Sequence, residues 1–234
     1  MHALNPGPAS NKLLAELPRK DFQLLASHLV YEQLAQGTVL FEAGEEVDDV
    51  YFPLSGMVSL VVVMRDGKAI ETATAGREGV VGAMSGLGLH TSQVRAIAQL
   101  PMFASRVASS QMRKAAKVSK PIADLCIRYN EVLLEQALTT AACNALHQIE
   151  ARLCRWLLQS ADRAGSDTVT LTQELLAEML GVRRTSVTEV AGKIQDQGLI
   201  TYSRGVIKIL DRPRLERMSC ECYQTLVAQE ATLI

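Results

Sequence analysis

The chain has no excess of positive charge. Twenty-four Lys and Arg stand against 25 Asp and Glu, a formal net charge of −1. That balance excludes a broad basic coat that would hold nucleic acid without sequence preference. Long apolar runs are also missing: none approaches the about 18 residues a membrane helix needs, so no membrane partner is expected. The opening MHALNPGPASNKLL joins no basic stretch to an apolar one and does not read as a secretory signal. Cysteines are few, odd in number and scattered, at 126, 143, 154, 220 and 222. This is the pattern of a reduced, cytoplasmic chain and not of a disulfide framework. No glycine-rich phosphate loop, paired-carboxylate motif or nucleophile elbow occurs, so nothing points to an enzyme.

What is present is concentrated near the C-terminus. Residues 172–210 read TQELLAEMLGVRRTSVTEVAGKIQDQGLITYSRGVIKIL. Apolar or small residues recur at Leu176, Ala177, Leu180, Val182, Val187 and Val190, the spacing of two short helices joined at a sharp turn. Ala177 is small where the helices must approach, and Gly181 suits the positive φ of the turn. Thr172 is a good N-cap. A β-hairpin follows, Leu199–Tyr202, a Ser203-Arg204-Gly205 turn, and Val206–Leu210. This is a helix-turn-helix with a wing. Val187, Val190 and Ile194 face inward, leaving Arg183, Arg184, Thr185, Ser186, Thr188 and Glu189 for double-stranded DNA. Arg184 is the candidate for a bidentate contact to guanine, while Arg183, Ser186 and Thr188 suit phosphates. Glu189 fits either a cytosine amino group or an ion pair with a neighbouring Arg. Arg204 and Lys208 on the wing suit the DNA backbone.

The rest of the chain divides by composition. Residues 1–9 read as a flexible tail. Two short amphipathic helices, LLAEL and DFQLLASHL, are broken at Pro18. From Gly37 to about Arg106 glycines punctuate strand-like segments, with a β-branched run at Tyr51–Met64 and an Asp66-Gly67 turn returning through Lys68–Ala75. Such spacing predicts an antiparallel barrel or jelly roll. A long helix spans Ser119–Leu146 with no internal glycine and no proline beyond its first turn. Its apolar positions, among them Ile122, Leu125, Tyr129, Val132, Leu133, Leu138 and Ala142, cover more than one face, enough for the β-domain and for a second copy of the helix. A helix over His147–Ala164 leads into the DNA-binding part. The fold class is α+β, in three parts: a β-roll sensor domain over 11–118, a dimerisation helix over 119–146, and a winged helix-turn-helix over 147–234.

This order resembles the Crp/Fnr family of bacterial transcription regulators. The resemblance is carried by GTVLFEAGEEVDDVYFPLSGMVSL (Gly37–Leu60), VRAIAQ (Val94–Gln99), EARLCRWLL (Glu150–Leu158) and the helix-turn-helix. It implies a cyclic-nucleotide-binding-like β-roll, a homodimer on a palindromic site, and control of transcription through RNA polymerase. Arg184 matches the family's guanine-reading arginine. Thr185 stands where many members carry a glutamate, and Glu189 where some carry an arginine, so the half-site should differ from that of the cyclic-AMP receptors.

The family's phosphate cassette is altered. Members that bind cyclic AMP carry Gly-Glu and, later, Arg-Ser or Arg-Thr, so that a carboxylate takes the ribose hydroxyl and a guanidinium the phosphate. Here GREGVVGAMSGLGLHTSQVRA (Gly76–Ala96) has Gly82-Ala83 and His90-Thr91 in those places. Control by cyclic AMP is therefore not expected. Gly82, Ala83, His90, Thr91 and Arg95 mark the hollow where another small molecule would sit, although Arg77, Glu78 and Arg95 also suit surface salt bridges. No cofactor or metal is implied. An iron–sulfur cluster of the N-terminal type lacks its thiolates, since no cysteine precedes Cys126, and His28 and His90 are lone histidines. The alternative reading is a cyclic-nucleotide-type scaffold, or a thiol redox-responsive protein using Cys220 and Cys222. A thiol enzyme would need His147 beside them, and nothing in the sequence places these together.

Overall fold

A computed structural model describes Gly7 and residues 10–88 and 91–231. His90 and nearly all of the N-terminal tail lie outside these described residues. The chain begins with α1 (Lys12–Glu16) and α2 (Arg19–Ala26). Asn11 caps α1, its side chain accepting from Leu14 N at 3.0 Å. Its amide also donates to the Pro53 and Gly79 carbonyls, tying the helix to the β-domain.

Seven strands follow, β1 (Val30–Leu34), β2 (Val39–Phe41), β3 (Asp49–Pro53), β4 (Met57–Val63), β5 (Ala69–Ala75), β6 (Arg95–Leu100) and β7 (Met102–Ala108). They form two antiparallel sheets, β1-β7-β3 and β2-β6-β4-β5. This is the expected β-roll. The β-branched run at Tyr51–Met64 is not one strand, because Gly56 at φ +71° turns the chain between β3 and β4. A Cβ there would lie 2.5 Å from the Pro101 carbonyl oxygen, so only glycine lets the two segments pass so close.

A helix unmarked in the sequence, α3 (Ser109–Val118), closes the roll. Its SSQMRKAAKV composition favours helix, but its length is modest and its apolar face is just Met112 and Ala115. The expected long helix is α4 (Lys120–Leu146), capped by Ser119, whose side chain accepts from Ile122 N. Ile122, Leu125, Cys126, Tyr129 and Val132 are buried in the core of the roll. Ile127, Leu134 and Leu138 are left exposed, at 47%, 58% and 63%.

The C-terminal part comprises α5 (Ile149–Ala164), β8 (Thr168–Thr170), α6 (Gln173–Leu180), α7 (Arg184–Asp196), β9 (Ile200–Ser203), β10 (Val206–Ile209), α8 (Arg212–Met218) and α9 (Cys222–Ala231). Its core merges with the outer face of the β-roll. Val58 and Leu60 of β4 point into the roll, whereas Met57, Val61 and Leu100 pack with Leu153, Trp156 and Leu157 of α5. Polar groups bridge the same seam. Trp156 Nε1 donates to Glu71 Oε1 at 2.8 Å, and Ser59 Oγ donates to Glu71 Oε2 at 2.5 Å. Glu78 is no surface salt-bridge residue: it is buried, 3.3 Å from Arg163 Nε, and Arg163 also reaches Glu230. A buried carboxylate without such a partner would be costly, which is why it is paired. Among the described residues, no helix is long and apolar enough to cross a membrane.

Candidate functional site

The helix-turn-helix forms with the local chemistry its residues dictate. Thr172 Oγ1 accepts from Leu175 N at 3.2 Å and starts α6. Gly181 ends it at φ +63°, ψ +38°, a left-handed conformation that costs other residues about 1–2 kcal/mol. Ala177 is buried at the approach of the helices, and Val187, Val190, Ala191 and Ile194 anchor α7. Arg183, Arg184, Thr185, Thr188 and Glu189 are exposed and Ser186 half-exposed, so all six residues expected on the outward face are there.

Two of them are engaged. Glu189 pairs with Lys193 one turn on, Oε1 to Nζ 2.7 Å, and that hydrogen bond lowers its pKa. The partner is therefore lysine and not the expected arginine. Thr188 Oγ1 donates to Gln173 Oε1 at 2.8 Å, linking the two helices. Arg184 has only a loose, solvent-exposed Glu174 at 3.9 Å and keeps its guanidinium available.

The first wing strand lies one residue later than the sequence suggested, while the second begins at Val206 as expected. Ser203 pairs with Val206, so Arg204-Gly205 is a two-residue loop. Both have positive φ, +50° and +76°, the type I′ geometry that matches strand twist. Strand β8, short and unmarked in the sequence, adds to β10 and makes a three-stranded sheet. Gln195 Oε1 accepts from Tyr202 N at 2.7 Å, and the Tyr202 hydroxyl donates to the Leu171 carbonyl at 2.9 Å. These bonds fix the wing against α7 and against the segment that leads into α6. Thr172, Gln173, Arg184, Tyr202, Arg204 and Gly205 then line one open hollow of about 310 Å³ between helix and wing. Lys208 lies exposed on β10.

The β-roll contains a second hollow, of about 450 Å³. Gly82 and Ala83 line it, as expected, with Phe41, Val47, Leu60 and Ala73 from the strands and Leu133, Leu134 and Ala137 from α4. Thr91 and Arg95 do not. Thr91 is exposed on an isolated bridge to Glu46, and Arg95 turns outward to Glu42, Nε to Oε2 2.8 Å. The expected His90 contribution falls outside the described residues. No charged side chain is among the lining residues described, so a bound phosphate would lack the guanidinium it needs there.

A third group was not assembled by sequence reasoning. Cys143 and His147, in the last turn and at the C-cap of α4, meet Cys220, between α8 and α9, and Cys222, the first residue of α9. Cys143 Sγ lies 3.5 Å from Cys220 Sγ, and Cys222 Sγ 3.6 Å from His147 Nδ1. The hydrogen bond from Cys220 pulls the Cys143 thiol down to about 4, with a further contribution from Arg155. The expectation that nothing places His147 beside these cysteines is thus overturned. Two halves of the signal were visible, Cys-x3-His on one helix face and Cys-x-Cys, but their pairing across 72 intervening residues was not.

The chain matches two family models: the cyclic nucleotide-binding domain over residues 31–117 and the Crp-like helix-turn-helix domain over residues 151–218. It is 26% identical over 211 residues to the HTH-type transcriptional regulator Cmr of Mycobacterium tuberculosis, covering 85% of this chain and 80% of that one. It is 25% identical over 189 residues to the global nitrogen regulator of a Nostoc species, covering 77% and 85%. A crp/fnr-family structure from Eubacterium rectale superposes with a TM-score of 0.70 at 20% identity, over 92% of this chain and 99% of that one. With a cyclic nucleotide-binding domain ahead of a Crp-like helix-turn-helix, this chain belongs to the Crp/Fnr family of DNA-binding transcription regulators.

Proposed function

We propose that the protein binds a palindromic duplex site as a homodimer in the cytoplasm and acts there on RNA polymerase, under a signal other than cyclic AMP. The observation that carries this reading is the joint outward surface of α7 and the wing, with Arg184 and Arg204 lining one hollow. The start of α7 enters the major groove, where Arg184 reads guanine and Arg183, Ser186 and the helix N-terminus hold phosphates. Arg204 and Lys208 follow the adjacent backbone. Glu189, held by Lys193, does not read a base.

The exposed seam of α4 supports the dimer. Ile127, Leu134 and Leu138 follow seven- and four-residue steps, the repeat of a two-stranded coiled coil. Two helix-turn-helix units on a two-fold axis read half-sites about 10 base pairs apart. The apolar hollow abuts that seam through Leu133, Leu134 and Ala137. A small apolar ligand there would touch the element that joins the protomers.

Selection from a random duplex pool by purified, reduced protein tests the proposal. The expected result is a palindrome with about ten-base-pair spacing. Failure to enrich any sequence, with the pure protein and again with cell extract added, overturns it.

A further inference from the structure

We propose that Cys143, His147, Cys220 and Cys222 form a mononuclear zinc site that clasps the C-terminal end of α4 to the junction of α8 and α9. Four ligand atoms, three thiol sulfurs and one imidazole nitrogen, lie within 4.8 Å of one another. A tetrahedral ion with Zn–S bonds of about 2.3 Å holds its sulfurs about 3.8 Å apart. The Cys143–Cys220 sulfurs, 3.5 Å apart, are slightly closer than that, and the 3.6 Å from Cys222 Sγ to His147 Nδ1 matches the about 3.6 Å between a sulfur and a nitrogen ligand of the same ion. An iron–sulfur cluster of two or four irons spreads its thiolates across the cluster width, which this arrangement does not provide. Three thiolates and one imidazole are a donor set of structural zinc, whereas hard cations prefer oxygen.

The surroundings are those of a ligand set already oriented. His147 presents Nδ1 to Cys222, and its Nε2 lies 3.2 Å from the Glu221 carboxylate. With Nδ1 on the metal, Nε2–H donates to Glu221, the carboxylate–histidine–metal relay that fixes ring and tautomer. Zinc with three thiolates and a neutral histidine carries a net charge of −1. Arg152 and Arg155, both buried on α5, face this group electrostatically and offset that charge. The three cysteines are buried, and together they form a small cluster apart from the two main cores. Zn²⁺ binding releases to solvent the protons still held by the three thiols.

The sequence order gives the ion its purpose. His147 is the hinge between α4 and α5, while Cys220 and Cys222 come from the far end of the chain. One ion therefore pins two segments that otherwise meet through packing of α9 on α4 and the His147–Glu221 pair, and so stabilises the placement of the winged helix.

Metal content of the full chain purified under reducing conditions tests this, followed by equilibrium dialysis against Zn²⁺. The expected result is one zinc per chain, with X-ray absorption showing three sulfurs and one nitrogen. Chelation should lower the melting temperature. Cys143→Ser and Cys220→Ser should lose the ion. The milder Glu221→Gln, at an exposed position, should fold normally yet bind zinc about 10–100-fold more weakly. Folded wild-type protein that retains no zinc overturns the proposal, as does a Cys143–Cys220 disulfide forming in air in the presence of zinc with no metal held. Unchanged zinc affinity in Glu221→Gln removes the relay.

Discussion

Arg184 stands on the outward face of α7. Its guanidinium is two-thirds exposed and the acidic side chain paired with it, Glu174, is 3.9 Å away in solvent, a pairing worth little. Arg184→Ala should therefore leave the melting temperature unchanged. It should cost about 1–3 kcal/mol at the preferred site, roughly fivefold to 150-fold in affinity, and relax selection at one base position. Binding titrations on the selected site and on a scrambled duplex would show this; equal losses on both would reassign Arg184 to the phosphates. Glu189 differs from Arg184 although both stand on the same face. Its Lys193 partner lies four residues on in the same helix, the favoured Glu-to-Lys order, a pairing readable from sequence once the helix is accepted.

Elements are held by a few conformational requirements. Gly181 takes φ +63°, and a Cβ there would come within 2.7 Å of Ile70 Cδ1. The end of a flexible side chain can move aside, so the left-handed backbone carries most of the penalty, about 1–2 kcal/mol. Gly181→Ala should lower the melting temperature by a few degrees while calorimetry still shows cooperative unfolding; an unchanged midpoint would mean that the turn relaxes. Helix α4 offers the second test. Leu134→Glu with Leu138→Glu places charges on its exposed seam. Sedimentation should show a monomer, and affinity for a palindrome should fall by about 10²-fold or more as the second half-site contact is lost. A dimer that persists would place the protomer interface elsewhere.

Across the whole molecule, the β-roll and the DNA-binding part share a buried seam. Burial raises the pKa of Glu71 above its ordinary 4.5, partly opposed by the bonds from Ser59 and Trp156. The folded chain then holds this proton more firmly than the unfolded one. Stability is therefore fully present below the ordinary carboxylate range and is lost as pH rises through the folded pKa. Glu71→Gln keeps an acceptor for Trp156 and removes the charge. It should raise the melting temperature at pH 8 by about 2–4 °C for each kcal/mol gained, with the difference closing near pH 4. Identical melting curves at both pH values would show that the seam tolerates the carboxylate as it is.

Local chemistry in the chain was enough to determine the winged helix-turn-helix, the capped long helix and the glycine-punctuated β-roll. Thr172, Gly181 and Arg204-Gly205 act within a few residues of themselves, and α4 declares itself by its length and its missing internal breaks. That Ala83 lines the hollow and brings no carboxylate to it was also legible, because Gly82 and Ala83 stand in one contiguous segment. Short elements were less visible. Strand β8 has only three residues and exists because β10 offers it an edge. Side-chain direction was decided by the tertiary structure alone. Arg95 turns away from the hollow because Glu42 lies across the strand pair, and Glu78 is buried because Arg163 arrives from α5. The Cys143, His147, Cys220 and Cys222 cluster depends on it most, since distances between residues remote in sequence are set by how α9 packs on α4.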